Sequence, residues 1–238
     1  MIVYGRNPVR EAVRGPRTVE RVWATKNAAR EPWLSGLQSF VASASAEEIE
    51  QRCGSSDHQG LCAEVSAFAY ADPNALLAGS GQLLLALDQV QDPQNLGAIC
   101  RSAECAGVTG IVIPERRAAE VTPAVCKASA GAVEHLAIAR VRNLADFLSD
   151  AKREGMWCYG ADSAGAVDYQ SVDYGDAVVL VLGSEGRGLR PRVAAACDAL
   201  VAIPLCGRIE SLSVSAAAAV LLFSAAGKRR NRAVDPTT

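Results

Sequence analysis

The rhythm of apolar and polar positions along this chain changes once, near residue 82. Before that point the segments are short. Residues 19–25 (VERVWAT) and 60–68 (GLCAEVSAF) alternate in the manner of half-buried strands. Residues 4–15 (YGRNPVREAVRG) predict a short helix with Asn7 as N-cap, Pro8 in the first turn and Gly15-Pro16 as the stop. A second short helix is expected over 45–53, entered through Ser45, while Asp72-Pro73 and Gly79-Ser80-Gly81 mark 69–81 as a connector. Beyond 82 the units lengthen. Strand-like runs at 83–90, 110–115, 136–141, 157–162, 177–182 and 199–205 alternate with helical stretches at 95–107, 122–133 and 144–155, and a final helix begins near 212. Runs such as LLLAL and VVLVL have no polar face, which is what a parallel sheet covered by helices requires.

The expected fold class is therefore α/β. A small α/β domain spans 1–68, a connector 69–81, a layered parallel-sheet domain 82–228, and a polar tail without fixed structure 229–238. A ligand site is expected at the carboxyl ends of the second domain's strands. Half of the 238 residues are hydrophobic and only 5% aromatic, so the core is built of Ala, Val and Leu. No apolar run is long enough to span a membrane, and the N-terminus lacks a signal-peptide apolar segment, so a cytoplasmic protein is expected. The eight cysteines stand singly with no CxxC pair, which favours reduced, buried small hydrophobes, and with two histidines no metal centre is expected.

A formal charge of −2 does not announce a nucleic-acid binder. Locally the picture changes. Arg6, Arg10 and Arg14 recur every fourth residue on the first predicted helix and Arg17 follows, a basic stripe suited either to phosphates or simply to solvent.

Three polar stretches follow apolar strands. In LDQVQDPQNLGAICRSAECAG (87–107), Asn95 stands at a helix entrance and Arg101 lies nearly two turns in; plain alternatives are Asn95 as cap and Arg101 paired with Glu104. In LVLGSEGRGLRP (180–191) the glycine spacing fits neither the Walker nor the Rossmann pattern, yet an apolar strand delivers Glu185 to a sheet edge. In IPLCGRIESLSVSAAAAVLLF (203–223), Ser211, Ser213 and Ser215 open a helix apolar enough to need burial. Those serines either cap the helix or hold a ligand.

Taken in order, N-L-G-x-x-x-R-S-A-x-x-x-G (95–107), L-G-x-E-G-x-G-L (182–189) and I-P-L-x-G-x-x-x-S-L-x-V-S-x-A (203–217) resemble the three signature motifs of the SpoU/TrmH family. These are RNA ribose 2′-O-methyltransferases of the SPOUT class. ASAGAVEHL (128–136) resembles the family's segment between the first two motifs, and VYGRNPVREAV and HQGLCAEV resemble its small ribosomal-protein-like substrate-binding domain. The resemblance implies a deep trefoil knot in the second domain, a fold that pattern reasoning would have rejected. It also implies S-adenosylmethionine bound largely through backbone at Leu182, Gly183, Ile203, Leu205, Gly207 and Leu212. Arg101 is placed at the target ribose, with Asn95, Glu185, Ser211 and Ser213 around it. A guanidinium stays protonated, so Arg101 is expected to fix the ribose or an adjacent phosphate and stabilise developing alkoxide charge rather than act as base. Arg116, Arg117, Arg187, Arg190 and Arg208 lie in or near the same loops and extend the basic track.

The implied partners are RNA and a second copy of the chain, with a guanosine of 23S ribosomal RNA the first target and transfer RNA the alternative. One letter departs from the family: Ser213 stands where asparagine is usual, which raises the alternative of a weakly active or non-catalytic RNA-binding member. A dinucleotide oxidoreductase is the other rival, but LDQVQDPQNLG lacks the G-x-G-x-x-G it needs.

Overall fold

A strand with no polar face has to be covered on both sides, and the three most apolar runs lie at the middle of one parallel sheet. The computed structural model describes residues 1–163 and 165–234. Its N-terminal part comprises β1 (Ile2–Tyr4), α1 (Arg6–Arg14), β2 (Val19–Ala24), β3 (Val41–Ser43), α2 (Ala46–Cys53) and β4 (Leu61–Val65), followed by α3 (Pro73–Leu77). The larger part begins with β5 (Leu83–Leu87), α4 (Pro93–Cys105), β6 (Gly110–Pro114), α5 (Pro123–Ala128), β7 (Ile138–Val141) and α6 (Leu144–Arg153). It continues through β8 (Trp157–Ala161), β9 (Val167–Asp168), β10 (Val178–Leu182), α7 (Pro191–Ala196), β11 (Ala199–Ala202) and α8 (Val214–Val234).

The first sheet has the order β1-β4-β2-β3, with β2 and β3 parallel and the other pairs antiparallel. The second has the order β7-β6-β5-β10-β8-β11-β9, parallel at every pairing. Every residue of β5, β6 and β10 is buried. From β5 the chain steps outward to β6 and β7, then crosses back to place β8 and β10 on the other side. The loops leaving β5 and β10 therefore emerge side by side, at the kind of switch point where open α/β sheets hold ligands.

The two parts share one continuous core, in which Val9 and Ala12 of α1 pack with Val125, Cys126 and Val133 of the larger part. A buried ion pair crosses the same boundary. Arg17 Nε donates to Glu134 Oε2 at 2.8 Å, Arg17 Nη2 meets Glu134 Oε1, and the side chains are only 4% and 1% exposed. The guanidinium also reaches Ser66 O at 3.3 Å and lies over the Phe68 ring. The expectation that Arg17 faces RNA is thereby corrected, because the residue is buried against the second domain. At the rim, Lys127 pairs with Asp57 at 3.2 Å and Glu11 with His135 at 3.0 Å. The stretch read as a connector is pinned as well: Ala71 N donates to Ile138 O at 2.8 Å, and Tyr70 Oη accepts from Val121 N at 2.9 Å.

Other details differ from the sequence reading. Gly5, at φ +96°, precedes α1, so Asn7 lies inside the helix and caps nothing. Residues 28–40 hold 3₁₀ turns that no apolar period announces. Helix α8 continues to Val234, so most of the expected free tail is helical, while 235–238 lie outside the described residues. The reason is a clasp at its end. Lys228 Nζ donates to Val172 O at 2.7 Å, and Arg229 donates to Gly175 O and Asp176 O at 2.7 Å each and to Gly81 O at 2.5 Å. All eight cysteines are free, but Cys105 and Cys206 are exposed rather than buried; burial pushes the Cys126 thiol up to about 11 and Cys100 to about 12. No helix is long and apolar enough to cross a membrane.

Removing one member of a buried ion pair leaves an uncompensated charge, at a cost of about 3–5 kcal/mol. Arg17→Met is expected to lower unfolding stability by about that amount in urea titrations, and Arg17→Met with Glu134→Leu is expected to recover most of it.

Candidate active site

The carboxyl ends of β5 and β10 and the entrance of α8 meet at one side chain. Asp92 caps α4 by accepting from Gln94 N at 3.0 Å, which leaves Asn95, one turn into the helix, free for other partners. Its amide is fully used. Asn95 Nδ2 donates to Asp92 Oδ2 at 3.1 Å and to Glu185 Oε1 at 3.0 Å, and Asn95 Oδ1 accepts from Ser215 Oγ at 2.9 Å. Two carboxylates on one side and a hydroxyl on the other allow this amide a single orientation. Ser213 Oγ lies 3.2 Å from Ser215 Oγ and accepts from Ala216 N at 3.2 Å, so it caps α8. The capping reading holds for Ser213, while Ser215 joins the network.

Glu185 sits on a loop that folds tightly on itself, with Ser184 and Gly188 exchanging backbone hydrogen bonds at 3.1 and 3.0 Å. A Cβ on Gly183 would overlap the backbone of Gly188, so that position admits only glycine. The far end of the loop is held by Asp88, whose side chain is wholly buried at the end of β5. It accepts from Arg190 N at 2.9 Å and Nε at 2.8 Å, and lies 2.6 Å from Nη2. This three-pronged, charge-assisted contact fixes the β10 loop to the β5 strand end.

Two cavities open here. A polar cleft of about 610 Å³ is lined by Gln89, Asp92, Asn95, Arg117, Glu185 and Arg187. Gln89 and Arg117 adopt left-handed backbone at φ +65° and +57°, a strain of about 1–3 kcal/mol each that tends to collect at working sites. The second cavity, about 140 Å³, is an apolar slot whose lining includes Ala161, Val201, Ile203, Leu205, Ser211 and Leu212. Asp162 and Glu210 add carboxylates to its wall. Ser211 and Leu212 line the slot and Val214 lines the cleft, so one short stretch of chain leads from the first space to the second.

The catalytic and cofactor-binding residues expected from sequence fall into four groups. Asn95, Glu185 and Ser213 lie in or against one hydrogen-bonded network. Ile203, Leu205, Leu212 and Ser211 line the slot. Leu182 is buried at the end of β10, Gly183 shapes the loop, Gly207 is exposed, and none of these three lines the slot. Arg101 is not brought to the network. It is exposed on α4, lines neither cavity, and makes no ion pair with Glu104 or any other described residue. On α1, Arg6 pairs with Glu31 at 3.1 Å, while Arg10 and Arg14 share Glu11 at 2.8 and 3.4 Å, all with exposed guanidinium groups. Sequence reasoning did not assign Asp92 or Ser215 a place in the site, although the i+3 spacing of Asp92 and Asn95 was visible. Among the described residues no three His, Cys, Asp or Glu side chains are grouped to hold a metal ion.

Comparison with known proteins adds an independent line. Residues 82–223 match the SpoU rRNA Methylase family, and residues 2–71 match a domain described as RNA 2′-O ribose methyltransferase substrate binding. A Bacillus subtilis protein assigned to the TrmH family of tRNA/rRNA methyltransferases is 35% identical over 95% of both chains. An uncharacterized tRNA/rRNA methyltransferase of Mycobacterium avium is 38% identical over 96% of this chain and 77% of its own. The AdoMet-bound rRNA methyltransferase of Sinorhizobium meliloti superposes with a TM-score of 0.81 at 27% identity, covering 97% of this chain and 87% of that one. The SpoU methyltransferase AviRb of Streptomyces viridochromogenes gives 0.82 at 23% identity over 97% and 91%, a likeness of fold.

If the amide of Asn95 separates two carboxylates, Asn95→Asp places three in one network and raises the pKa of at least one. A carboxyl group with a raised folded-state pKa costs stability as pH climbs above its unfolded value. Thermal unfolding of the variant is therefore expected to approach wild type near pH 4.5 and to fall clearly below it at pH 8.

Proposed function

The chain belongs to the SpoU rRNA Methylase family, and from that premise we propose that it transfers a methyl group from S-adenosylmethionine to a ribose 2′-hydroxyl in RNA, a guanosine of 23S ribosomal RNA being the first target to test. The observation that carries this reading is that one stretch of chain supplies Ser211 and Leu212 to an apolar slot and Val214 to a polar cleft, with Asn95, Glu185 and Ser215 locked together beside the cleft.

Ile203, Leu205 and Leu212 give the slot apolar walls suited to an adenine ring, and the carboxylate of Glu210 suits a cationic ligand. S-adenosylmethionine supplies an electrophilic methyl group on a positively charged sulfur that leaves as a neutral thioether. The protein's own tasks are then to align the ribose and to help its hydroxyl lose a proton. Glu185 holds Asn95 through Oε1, and no described residue donates to its Oε2, which is left as an acceptor for the hydroxyl. Asn95 keeps Glu185 and Ser215 in register, and Ser211 stands at the slot wall.

Arg101 has a role that one chain does not complete. Its helix α4 packs against α8, whose outer face carries Ala216 and Phe223, the latter 53% exposed. We assign that apolar face to a second copy of the chain, and Arg101 to the ribose or adjacent phosphate of RNA bound at the paired sites. The deep trefoil knot belongs to the same reading, with 183–190 and 203–213 as its loops. Cytoplasmic action follows from a ribosomal substrate, and Arg6, Arg10 and Arg14 would meet RNA beyond the cleft.

The experiment is transfer of labelled methyl from S-adenosylmethionine to unmodified 23S ribosomal RNA and to transfer RNA, followed by mapping of the ribose modified. Cofactor binding by calorimetry with no transfer to either RNA would favour a non-catalytic RNA-binding role. Absence of cofactor binding would remove the proposal altogether.

Asparagine and serine are comparable N-caps, so Ser213→Asn is expected to unfold within about 0.5 kcal/mol of wild type. If the shorter hydroxyl sacrifices one hydrogen bond of about 1–3 kcal/mol, the variant is expected to raise kcat/KM by about one order of magnitude or more. Steady-state methyl transfer checks both numbers against the wild-type protein.

A further inference from the structure

The polar cleft has two walls that the reaction as described does not use. Arg117 projects from the loop after β6, and Arg187 from the glycine-rich loop after β10. Neither forms an ion pair among the described residues, although carboxylates are close by in sequence. On the first loop Glu115 lies 4.0 Å from Arg142, and Glu120 pairs with Arg140 at 3.0 Å. On the second, Glu185 is hydrogen-bonded to Asn95 at 3.0 Å. Each of these acids has another partner, so the two guanidinium groups face a cleft of about 610 Å³ without an ion-pair partner among the described residues, while Asp92 and Glu185 on the same cleft are turned to Asn95.

Arg117 is held there against its backbone preference. Its φ of +57° is unusual for a long side chain, and Gln89, at φ +65°, borders the same cleft. The loop's return is tied to the other strand end, where Ala119 N donates to Val90 O at 2.8 Å. The strained turn therefore has a fixed place beside the site, and its effect is to keep a cation on the cleft wall.

We propose that Arg117 and Arg187 form a clamp for a backbone phosphate of the target RNA, next to the nucleotide whose ribose reaches Glu185. Planar guanidinium groups suit phosphate oxygens, and two of them on separate loops bind the strand without reading a base. The inference rests on the RNA-methylation reading and goes beyond it by assigning the phosphate contact to these two residues.

The test measures affinity for an unmodified transcript of large-subunit ribosomal RNA across a series of KCl concentrations. The variants are Arg117→Gly, Arg117→Lys and Arg187→Ala. Arg117→Gly removes the guanidinium while relieving the positive φ, so a folding defect is not expected; thermal unfolding at or above the wild-type temperature confirms that. For each lost contact the slope of log K against log[salt] is expected to become shallower by about 0.7–0.9, and RNA affinity at fixed salt to fall about tenfold. Arg117→Lys should keep the slope. A stable Arg117→Gly protein with the wild-type slope would overturn the clamp, even while wild-type methyl transfer leaves the catalytic reading standing. Conversely, a wild-type protein that transfers no methyl, yet loses slope in both variants, retains the clamp and loses the enzyme.

Discussion

An asparagine amide offers two N–H donors and one carbonyl, and Asn95 has committed all of them. Its partners are Asp92 on its own turn, Glu185 at a separation of 90 residues and Ser215 at 120. Hydrogen bonds worth about 1 kcal/mol net cannot by themselves close loops of that length against chain entropy. The closure is done by the scaffold. Strands β5 and β10 are neighbours over five residue pairs, α8 packs on α4, and Arg190 is held by buried Asp88. What remains for Asn95 is the final alignment, for which a group that fits in only one orientation is well suited.

That division between scaffold and alignment explains what could be read from the sequence. Runs such as 83–87 and 178–182 are apolar at every position, and only central parallel strands bury both faces, so the second sheet was legible. The glycines of 183–188 and the polar letters around Asn95 and Glu185 pointed to a candidate site only through their resemblance to a family's ordered motifs. Distance was not. Arg101 sits in the first motif, yet its helix turns it outward, because position along α4 fixes direction and a motif does not. Residues 28–40 were illegible since 3₁₀ turns impose no long apolar period. The end of α8 was misread because polar composition suggests a free tail, while the clasp of Lys228 and Arg229 onto loop carbonyls depends on distant backbone.

Charge shows the same limit. Arg6, Arg10, Arg14 and Arg17 look alike in a sequence, but their partners set them apart. The first three pair with the half-buried carboxylates of Glu31 and Glu11 while their own side chains reach solvent. Arg17 is desolvated on Glu134 and tied to Ser66, so releasing it would strand a buried carboxylate. Its function is to hold the two domains together. One stripe of similar letters thus divides into three arginines paired at the surface and a structural rivet, with burial deciding which.

The same reasoning bears on Ser213, the residue that departs from the family's usual asparagine. Every polar group of Asn95 is satisfied without it, and its own hydroxyl is engaged by Ala216 N and lies against Ser215. In the protein alone, then, the change leaves no buried group orphaned and the helix entrance remains capped. On the proposed reading, a difference between a hydroxyl and a longer amide would show with cofactor or RNA bound rather than in the protein alone. A substitution neutral in the resting fold and felt only in the loaded one would act on ligand contact, in the ground state or the transition state, rather than on stability.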